Sequence, residues 1–422
     1  MTYHNAIKFI KTAPNITPRD DSASERIQML CSALGNPQKK IKYIRLAGSN
    51  GKTVCARMLI SILNKAEIVN GCLSMPIYSE IRDNIRINGT PITIDETVEY
   101  ASAVKQAVDQ INSGENNATF RPTAHEILLC MALLAFVSHK CGICIIESDH
   151  KGEDPSRFLP APFAAVICGS IPIDDRDKQD IYKIRSYICH GVREIISAPQ
   201  NSDAYKIIAD TCFSVNCRLT IAAKNNIDIR RLTLRGTTFM YKDHEYSLRV
   251  CGKFQTVNAV VAIESAEMLA RLGYEISKEC IKDGLRDVTA PCKFEILSIS
   301  PTIIADSTHT PIAIEAICDS LSDFKDITGN NINLCLPDGE LISQYVTALS
   351  KRGYTVEKIS ALEIDGIISA NDDELPIVPC KTAKATAKDA LSSLNTNSTL
   401  LISGPSNFTR QIRYEMLSIL GF

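Results

Sequence analysis

The chain has 422 residues and a formal net charge of −2 at pH 7. Hydrophobic residues make up 45 % and charged residues 22 %, an ordinary globular mixture that argues against disorder. This length predicts two or three domains. The near-neutral charge and the short basic runs argue against nucleic acid, so we expect small-molecule partners. No segment reaches the roughly 18 apolar residues of a membrane span, and we predict a cytoplasmic protein without membrane contact.

Sixteen cysteines are present, and we expect reduced thiols rather than disulfides. The first residues form no signal peptide, which predicts a reducing compartment. Cys141 and Cys144 form a C-x-x-C motif, but they lie in the apolar run CGICIIE, which is typical of a buried strand. No histidine or second cysteine pair follows at metal-ligand spacing, so we predict a structural role for both cysteines.

Short apolar runs alternate with helical stretches, a pattern that predicts an α/β fold with a mostly parallel sheet. In chain order we predict a strand at 41–47, a helix at 54–66, a helix at 123–140 capped by Thr123, strands at 141–147 and 163–169, and a helix at 256–273. Helical periodicity stops near 288–301, and strands are predicted at 302–306, 331–336, 354–360 and 398–404. We therefore expect two domains, 1–292 and 293–422.

The segment IRLAGSNGKTVC, residues 44–55, carries the clearest chemical signal. A phosphate site needs a strand that ends in a glycine turn, N–H groups at a helix N-terminus, a lysine for the phosphates and a hydroxyl for Mg²⁺. Two glycines, Lys52 and Thr53 meet these needs, although Leu46 replaces the first glycine of the common G-x-x-x-x-G-K-[ST] pattern. We predict a shortened loop that binds ATP with Mg²⁺. Its residues are Gly48, Ser49, Asn50, Gly51, Lys52 and Thr53.

The loop GSNGKT is similar to the G-T-x-G-K-[ST] loop of the Mur ligase superfamily, and its surroundings resemble the folylpolyglutamate synthase/dihydrofolate synthase branch. Similar segments follow in the family order: DNIRINGTPIT at 83–93, SAPQ at 197–200, CGKFQTVNAVVAI at 251–263 and ADSTHTP at 305–311. The resemblance implies a P-loop ATPase domain and a smaller C-terminal Rossmann-like domain. It also implies a monomer that joins glutamate to a folate-type carboxylate, through an acyl phosphate and with ATP and Mg²⁺.

The resemblance gives three residues a catalytic role. Lys52 and Mg²⁺ neutralise charge on the transferred phosphoryl group, which is the main task of such a site. Glu147 follows the strand ICII, where the family has a magnesium-binding glutamate, and His309 faces ATP or the incoming amino acid. Two ordinary roles stay open beside these, a solvated glutamate at a strand end and a helix-cap histidine.

Four further residues are implied on the nucleotide side. Asp306 ends a predicted strand and matches the family's ribose ligand, and Lys293 stands where the family has an arginine. Gln255 and Asn258 match the start of a helix on the adenine side. Each of these two residues can equally be a polar cap.

Several family positions carry different residues in this chain. The glycine-rich segment after the magnesium glutamate reads ESDHKGEDPSRF at 147–158, and the folate-side S-P-H-L reads SMPIY at 74–78. A histidine for a second magnesium is absent, and Asp175 in CGSIPIDD offers a hard oxygen ligand instead, unless it is a solvated loop residue. The carbamoylated lysine aligns with Cys189 or a neighbour, and a thiol cannot imitate a carbamate towards magnesium.

These differences leave three functions open. The first is a divergent ligase for folate-type acceptors. The second is the same reaction on another carboxylate, which the changed substrate segments favour. The third is a non-catalytic ATP-binding protein, which the missing lysine favours.

Overall fold

The computed structural model describes most of the chain, namely residues 1–14, 23–48, 50–75, 77–78, 80–113, 120–148, 155–160, 162–169, 171, 185, 188, 191–223, 226–337, 339–363 and 377–421. The predicted site residues Ser49 and Asp175, and Cys189, lie outside these ranges.

The chain divides into two compact units. One comprises Met1–Asn225 with Val257–Leu285, and the other comprises Asn226–Thr256 with Arg286–Phe422. The second unit thus contains a segment that precedes the boundary expected near residue 293. Compactness does not define a functional domain, so the division into 1–292 and 293–422 stays a prediction.

The first unit is built on an eight-stranded sheet. Its strands are β1 (Tyr43–Ala47), β2 (Asn70–Leu73), β3 (Ile85–Ile87), β4 (Thr90–Pro91), β5 (Ile143–Glu147), β6 (Ala164–Ile167), β7 (Glu194–Ser197) and β8 (Arg218–Ile221). Their order in the sheet is β4-β3-β2-β5-β1-β6-β7-β8, with β3 antiparallel to both of its neighbours and every other neighbouring pair parallel. Strand β1 lies between β5 and β6, so the carboxyl ends of these three strands meet where the phosphate loop begins.

Helices cover this sheet. They are α1 (Tyr3–Lys11), α2 (Ala23–Ala33), α3 (Lys52–Lys65), α4 (Ile94–Asn112), α5 (Ala124–Ser138), α6 (Ser202–Ser214), α7 (Phe254–Arg271) and α8 (Lys278–Asp287). Short 3-10 turns occur at Pro37–Lys39, Ile81–Asn84 and Pro155–Phe158. Helix α5 is apolar on all sides because it is buried within the core that α1, α2 and α4 complete. Thr123 caps α5 in a capping box with Glu126, as the sequence predicts.

The second unit contains two sheets. A three-stranded antiparallel sheet comprises β9 (Asp228–Thr233), β10 (Gly236–Tyr241) and β11 (His244–Leu248). A six-stranded sheet comprises β12 (Glu295–Ile299), β13 (Thr302–Asp306), β14 (Asn331–Leu336), β15 (Thr355–Leu362), β16 (Ile377–Cys380) and β17 (Thr399–Ser403). The order of the larger sheet is β12-β13-β17-β14-β15-β16, and only β12 is antiparallel to its neighbour.

Both faces of the larger sheet are buried under helices. These are α9 (Pro311–Ser322), α10 (Lys325–Thr328), α11 (Gly339–Ser350), α12 (Ala383–Ser392) and α13 (Ser406–Leu420). Ile304 packs with α9 and α11 on one face, while Ile303 and Ala305 pack with α12 and α13 on the other. This alternation explains why the parallel strands read as continuous apolar runs.

The predicted α/β class is confirmed, and each strand and helix predicted from the apolar runs is present with shifts of a few residues at its ends. The sequence analysis missed β2–β4, β7, β8, β12, β16 and the whole sheet β9–β11. Strand β10 alternates half-buried and buried residues, and Lys242 and Asp243 both have positive φ in the turn to β11, as in a type I′ hairpin. Non-glycine residues occupy that turn, so its sequence gives a weak signal.

The cysteines of the described ranges are all free, and most are buried. Cys144 lies in β5 within the core of the first unit, and Cys141 packs against the same core. Among the described residues, no helix combines the length and apolar character needed to cross a bilayer.

Candidate functional site

The backbone after β1 forms a turn that leaves no room for side chains at two glycines. Gly48 has φ +110°, and a Cβ there would lie 2.0 Å from the carbonyl oxygen of Cys168. Gly51 has φ +83° and forms the N-cap of α3, and a Cβ there would lie 2.5 Å from Oδ1 of Asn258. Both positions therefore require glycine. The turn brings the N-terminus of α3 to the carboxyl end of β1, which is the arrangement that binds phosphate.

Leu46 explains the missing glycine of the common pattern. It is a buried residue within β1, and it lies opposite Glu147 of β5 in the parallel ladder. The turn therefore begins two residues later, at Gly48, and is shorter than the common loop. Gly169, with φ +67°, crosses close to the turn, since a Cβ there would lie 2.7 Å from the carbonyl oxygen of Asn50.

Lys52 is the first residue of α3, and its side chain folds back into the turn. Its Nζ donates a hydrogen bond to the carbonyl oxygen of Gly48 at 2.7 Å, and the residue is 7 % exposed. The ammonium is thus held beside the same backbone that would surround a phosphate group.

Glu147 is a buried acidic residue next to the turn. It ends β5 and is 1 % exposed. Its Oε2 accepts a hydrogen bond from Thr53 Oγ1 at 3.1 Å, and its Oε1 accepts one from Ser74 Oγ at 2.8 Å. The solvated strand-end glutamate that stayed open from the sequence is therefore wrong, because the carboxylate is buried and hydrogen-bonded.

The carboxylate also affects the thiols around it. Burial, together with the charge of Glu147, raises the pKa of Cys72 to about 12. The pKa of Cys55 is raised by its contact with the Cys168 thiol, by burial and by the same carboxylate. Both thiols are therefore neutral at pH 7.

Thr53 and Glu147 fit a magnesium ion. Mg²⁺ prefers hard oxygen ligands at about 2.1 Å in an octahedral shell, in which adjacent ligands lie about 3.0 Å apart. The 3.1 Å between Thr53 Oγ1 and Glu147 Oε2 matches that spacing. Among the described residues no group of three or more His, Cys, Asp or Glu could hold a metal ion. Mg²⁺ bound in such sites usually keeps several waters and takes further oxygens from substrate phosphates.

Asn258 lies at the phosphate turn. Its backbone carbonyl and its Oδ1 accept sulfur hydrogen bonds from Cys55 Sγ at 3.6 and 3.9 Å, and its side chain fills the space beside Gly51. The sequence placed this residue on the adenine side, and its adenine role stays a prediction.

Three of the predicted nucleotide residues lie together in the second unit. Asp306 ends β13, and its Oδ2 accepts a hydrogen bond from the backbone N–H of Phe294 at 2.6 Å. Gln255 is fully buried, and its Nε2 donates to the carbonyl oxygen of Lys293 at 3.2 Å. This cluster of Gln255, Lys293 and Asp306 lies at the carboxyl end of β13, where open α/β sheets bind ligands.

The charge of Asp306 is poorly stabilised. Its Oδ1 is buried and accepts no hydrogen bond of normal geometry from the described residues. Burial raises the pKa of Asp306, while Lys293, the Thr308 hydroxyl and the Phe294 N–H oppose that rise. A buried acceptor without a partner is the group that a ligand hydroxyl would satisfy.

His309 is exposed and directly precedes Thr310, the N-cap of α9. The capping position is therefore occupied by Thr310, and the helix-cap role for His309 is wrong. Its catalytic role stays a prediction.

Ser74 is a site residue that the sequence analysis did not assign. Its hydroxyl holds one oxygen of Glu147 in place, opposite the bond from Thr53. The sequence did contain a signal for Ser74, because this residue begins the SMPIY segment that resembles the family's folate-side motif. The close approach of Gly169 and Cys168 to the loop had no local sequence signal, since it arises from β6 lying beside β1.

No family model matches the chain. The folylpolyglutamate synthase of Lacticaseibacillus casei is 22 % identical over 333 residues, which cover 76 % of this chain and 77 % of that protein. The dihydrofolate synthase/folylpolyglutamate synthase of Mycobacterium tuberculosis is 25 % identical over 345 residues, which cover 74 % of this chain and 69 % of that protein. The folylpolyglutamate synthase structure from Mycobacterium tuberculosis complexed with ADP matches with a TM-score of 0.81 at 18 % identity, over 100 % of this chain and 98 % of that chain. The chain is thus similar to the folylpolyglutamate and dihydrofolate synthases, in sequence and in fold.

The likeness to folylpolyglutamate synthases extends over both units. A structure titled as the complex of that enzyme with AMPPCP and folate matches with a TM-score of 0.81 at 18 % identity, over 99 % of this chain and 100 % of that chain. The predicted family resemblance and the Mur ligase-like fold are thus confirmed. At these identities the structural likeness establishes the fold, and the role of each residue rests on the contacts described above.

Proposed function

We propose that this chain is an ATP-dependent ligase that joins glutamate to a folate-type carboxylate through an acyl phosphate. The observation that carries the proposal is the pairing of Thr53 with Glu147 at 3.1 Å beside the glycine turn. A hydroxyl and a carboxylate at magnesium-ligand spacing, next to a buried lysine, are what an Mg-ATP site requires. The relatives named as folylpolyglutamate synthases support the choice of reaction.

The residues of the turn bind and orient the phosphates. The N-terminus of α3 offers backbone N–H groups, and Lys52 adds a positive charge that is already held in the turn. Thr53 and Glu147 would hold Mg²⁺, which when bound neutralises charge on the β- and γ-phosphates. Ser74 keeps the Glu147 carboxylate in the required orientation.

The reaction balances in two steps. A carboxylate oxygen of the acceptor bonds to the γ-phosphorus, and the bond to the bridging oxygen breaks so that ADP leaves. The amine of glutamate then bonds to the acyl carbon, phosphate leaves, and the amine loses a proton. Because charge spreads over phosphate oxygens in the first step, positioning and positive charge supply most of the catalysis.

We propose that the cluster of Gln255, Lys293 and Asp306 receives the rest of the nucleotide. The buried Oδ1 of Asp306 suits a ribose hydroxyl, since the hydroxyl would supply the missing hydrogen bond. Within this proposal His309, exposed next to the cluster in sequence, faces ATP or the incoming amino acid. Asp175 as a second magnesium ligand belongs to the same proposal.

Two alternative functions are kept. The changed segments at 74–78 and 147–158 favour the same reaction on a non-folate carboxylate. Cys189, aligned with the family's carbamoylated lysine, favours a non-catalytic ATP-binding protein. In each case the partners are small molecules, and we propose a cytoplasmic monomer that does not bind nucleic acid.

The test is ADP release by the purified chain with Mg-ATP and glutamate, with tetrahydrofolate, dihydropteroate, a panel of non-folate carboxylates or no acceptor. Acceptor-dependent ADP release, with a product heavier by one glutamyl unit, is the expected result. Glutamate-dependent ADP release only with other carboxylates supports the first alternative. If no acceptor gives ADP release while Mg-ATP still raises the melting temperature, the ligase function is refuted and the non-catalytic function remains.

A further inference from the structure

Asn84 is a fully buried residue that holds one neighbouring segment in place. It ends the 3-10 turn Ile81–Asn84, and the polar atoms of its backbone and side chain are directed to the segment that follows β2. Its Nδ2 donates to the Ser74 carbonyl oxygen at 2.7 Å, and its own carbonyl oxygen accepts the Ser74 N–H at 2.8 Å. Its Oδ1 accepts the Tyr78 N–H at 2.9 Å.

The backbone of Ser74 is therefore held by Asn84 on both of its polar groups. This matters because the Ser74 hydroxyl donates to Glu147 Oε1 at 2.8 Å, while Thr53 donates to the other carboxylate oxygen. A hydroxyl can orient a carboxylate only if its own backbone is fixed. Asn84 thus lies two contacts away from Glu147, although it touches neither Thr53 nor Glu147 in the bonds described here.

The position of Ser74 is not set by the sheet alone. It follows β2, whose last residue, Leu73, lies opposite Ile146 in the parallel ladder with β5. The side chain of Asn84 supplies hydrogen bonds of the kind that a neighbouring strand gives. It donates to the Ser74 carbonyl oxygen and accepts from the Tyr78 N–H. An asparagine amide has both groups, whereas an apolar side chain would leave the Ser74 carbonyl and the Tyr78 N–H buried without these bonds.

We propose that Asn84 is a positioning residue of the magnesium site, which holds Ser74 so that its hydroxyl keeps Glu147 directed towards Thr53. The proposal rests on the proposed function, since it takes Glu147 as a magnesium ligand. It assigns to Asn84 an effect on the magnesium requirement that a purely structural asparagine does not have.

Asn70 provides a matched control. It is also fully buried and lies at the opposite end of β2. Its Nδ2 donates to Asn64 Oδ1 at 2.7 Å and to the Ile68 carbonyl oxygen at 3.0 Å. Truncation of Asn70 therefore removes a buried amide of the same kind, in this case from β2 itself and at the end of that strand away from Glu147.

The experiment titrates Mg²⁺ at a fixed ATP concentration and measures ATP binding by calorimetry. It compares the wild type with Asn84→Ala, Asn70→Ala and Ser74→Ala. We expect Asn84→Ala to raise the Mg²⁺ concentration at half-saturation about tenfold, and Ser74→Ala to raise it by a similar factor. Asn70→Ala is expected to lower the melting temperature while leaving half-saturation within twofold. The double variant Asn84→Ala/Ser74→Ala is expected to shift half-saturation no further than either single variant, because both act through one contact.

A wild type without magnesium-dependent ATP binding refutes the proposed function and this inference with it. A wild type that binds normally, with the same half-saturation in Asn84→Ala and Asn70→Ala, refutes this inference alone. If Asn84→Ala does not fold, Ser74→Ala decides, because it deletes only one hydroxyl. A wild-type magnesium titration in Ser74→Ala then overturns the proposed route.

Discussion

Gly48→Ala tests how tightly the phosphate turn is built. The added methyl group would lie 2.0 Å from the carbonyl oxygen of Cys168, well inside the 3.0 Å that real Cβ atoms keep from other heavy atoms. The obstructing atom belongs to the backbone of Cys168, and the N–H of Cys168 donates a hydrogen bond to the Ala47 carbonyl oxygen at 2.8 Å. No side-chain rotation can relieve the overlap, so β6 or the turn must move.

The cost has two parts. A non-glycine residue with strongly positive φ costs about 1–2 kcal/mol. Forcing extra volume against a fixed neighbour typically costs about 1–3 kcal/mol more. The sum, about 2–5 kcal/mol, is a large fraction of the roughly 5–15 kcal/mol by which ordinary proteins are stable.

Gly273→Ala is the matched control. Gly273 has φ +100°, similar to that of Gly48, but a Cβ there meets no atom within 4 Å. Only the backbone cost of about 1–2 kcal/mol applies, and the smaller unfolded-state entropy of alanine offsets part of it by about 0.4–1 kcal/mol. The difference between the two variants therefore isolates the steric overlap at the turn.

The assay is thermal unfolding followed by circular dichroism, with and without Mg-ATP. We expect Gly48→Ala to melt clearly below Gly273→Ala and to lose the rise in melting temperature that Mg-ATP produces, while Gly273→Ala keeps that rise. Equal melting temperatures for the two variants, with the Mg-ATP effect intact in both, would refute the steric argument and the placement of phosphate at this turn.

Three further outcomes are expected. Lys52→Ala abolishes ATP binding measured by calorimetry, because the phosphates lose their main cation, and an affinity within severalfold of the wild type contradicts that role. Glu147→Gln keeps the side chain's shape but removes its charge, so the Mg²⁺ concentration at half-saturation rises tenfold or more, and an unchanged titration returns Glu147 to a structural role. Burial raises the pKa of Asp306, so the wild-type folded state loses stability as pH rises from the ordinary aspartate value of about 3.9 through the raised pKa. Asp306→Asn is free of that loss, so it melts no lower than the wild type at pH 7 but binds ATP more weakly, and a lower melting temperature contradicts the reasoning.

The sequence predicted the parts of the site that are local in the chain. A strand, a glycine turn and a helix N-terminus follow one another within IRLAGSNGKTVC, so the roles proposed for Lys52 and Thr53 follow from spacing alone. Glu147 could be placed because it ends an apolar run, and the carboxyl ends of parallel strands meet at one edge of a sheet. Asp306 follows the same rule in the second unit.

Other features arise only when distant segments meet. The sheet β9–β11 was missed because its half-buried strands and non-glycine turn give weak local patterns. In the sequence, Asn84 is one polar residue before a short strand. Its hydrogen bonds to Ser74 form because the turn Ile81–Asn84 folds back onto the end of β2.

What the sequence by itself determined was the α/β class, the phosphate turn and the family resemblance, because each is written in contiguous residues. The tertiary structure decided which neighbouring residues contact them and fix their conformation. Gly48 must be glycine because β6 brings the Cys168 carbonyl against the turn, and Glu147 is oriented because β2 delivers Ser74 to it. Strand order and register set these contacts, and both depend on the packing of the whole sheet rather than on any one segment.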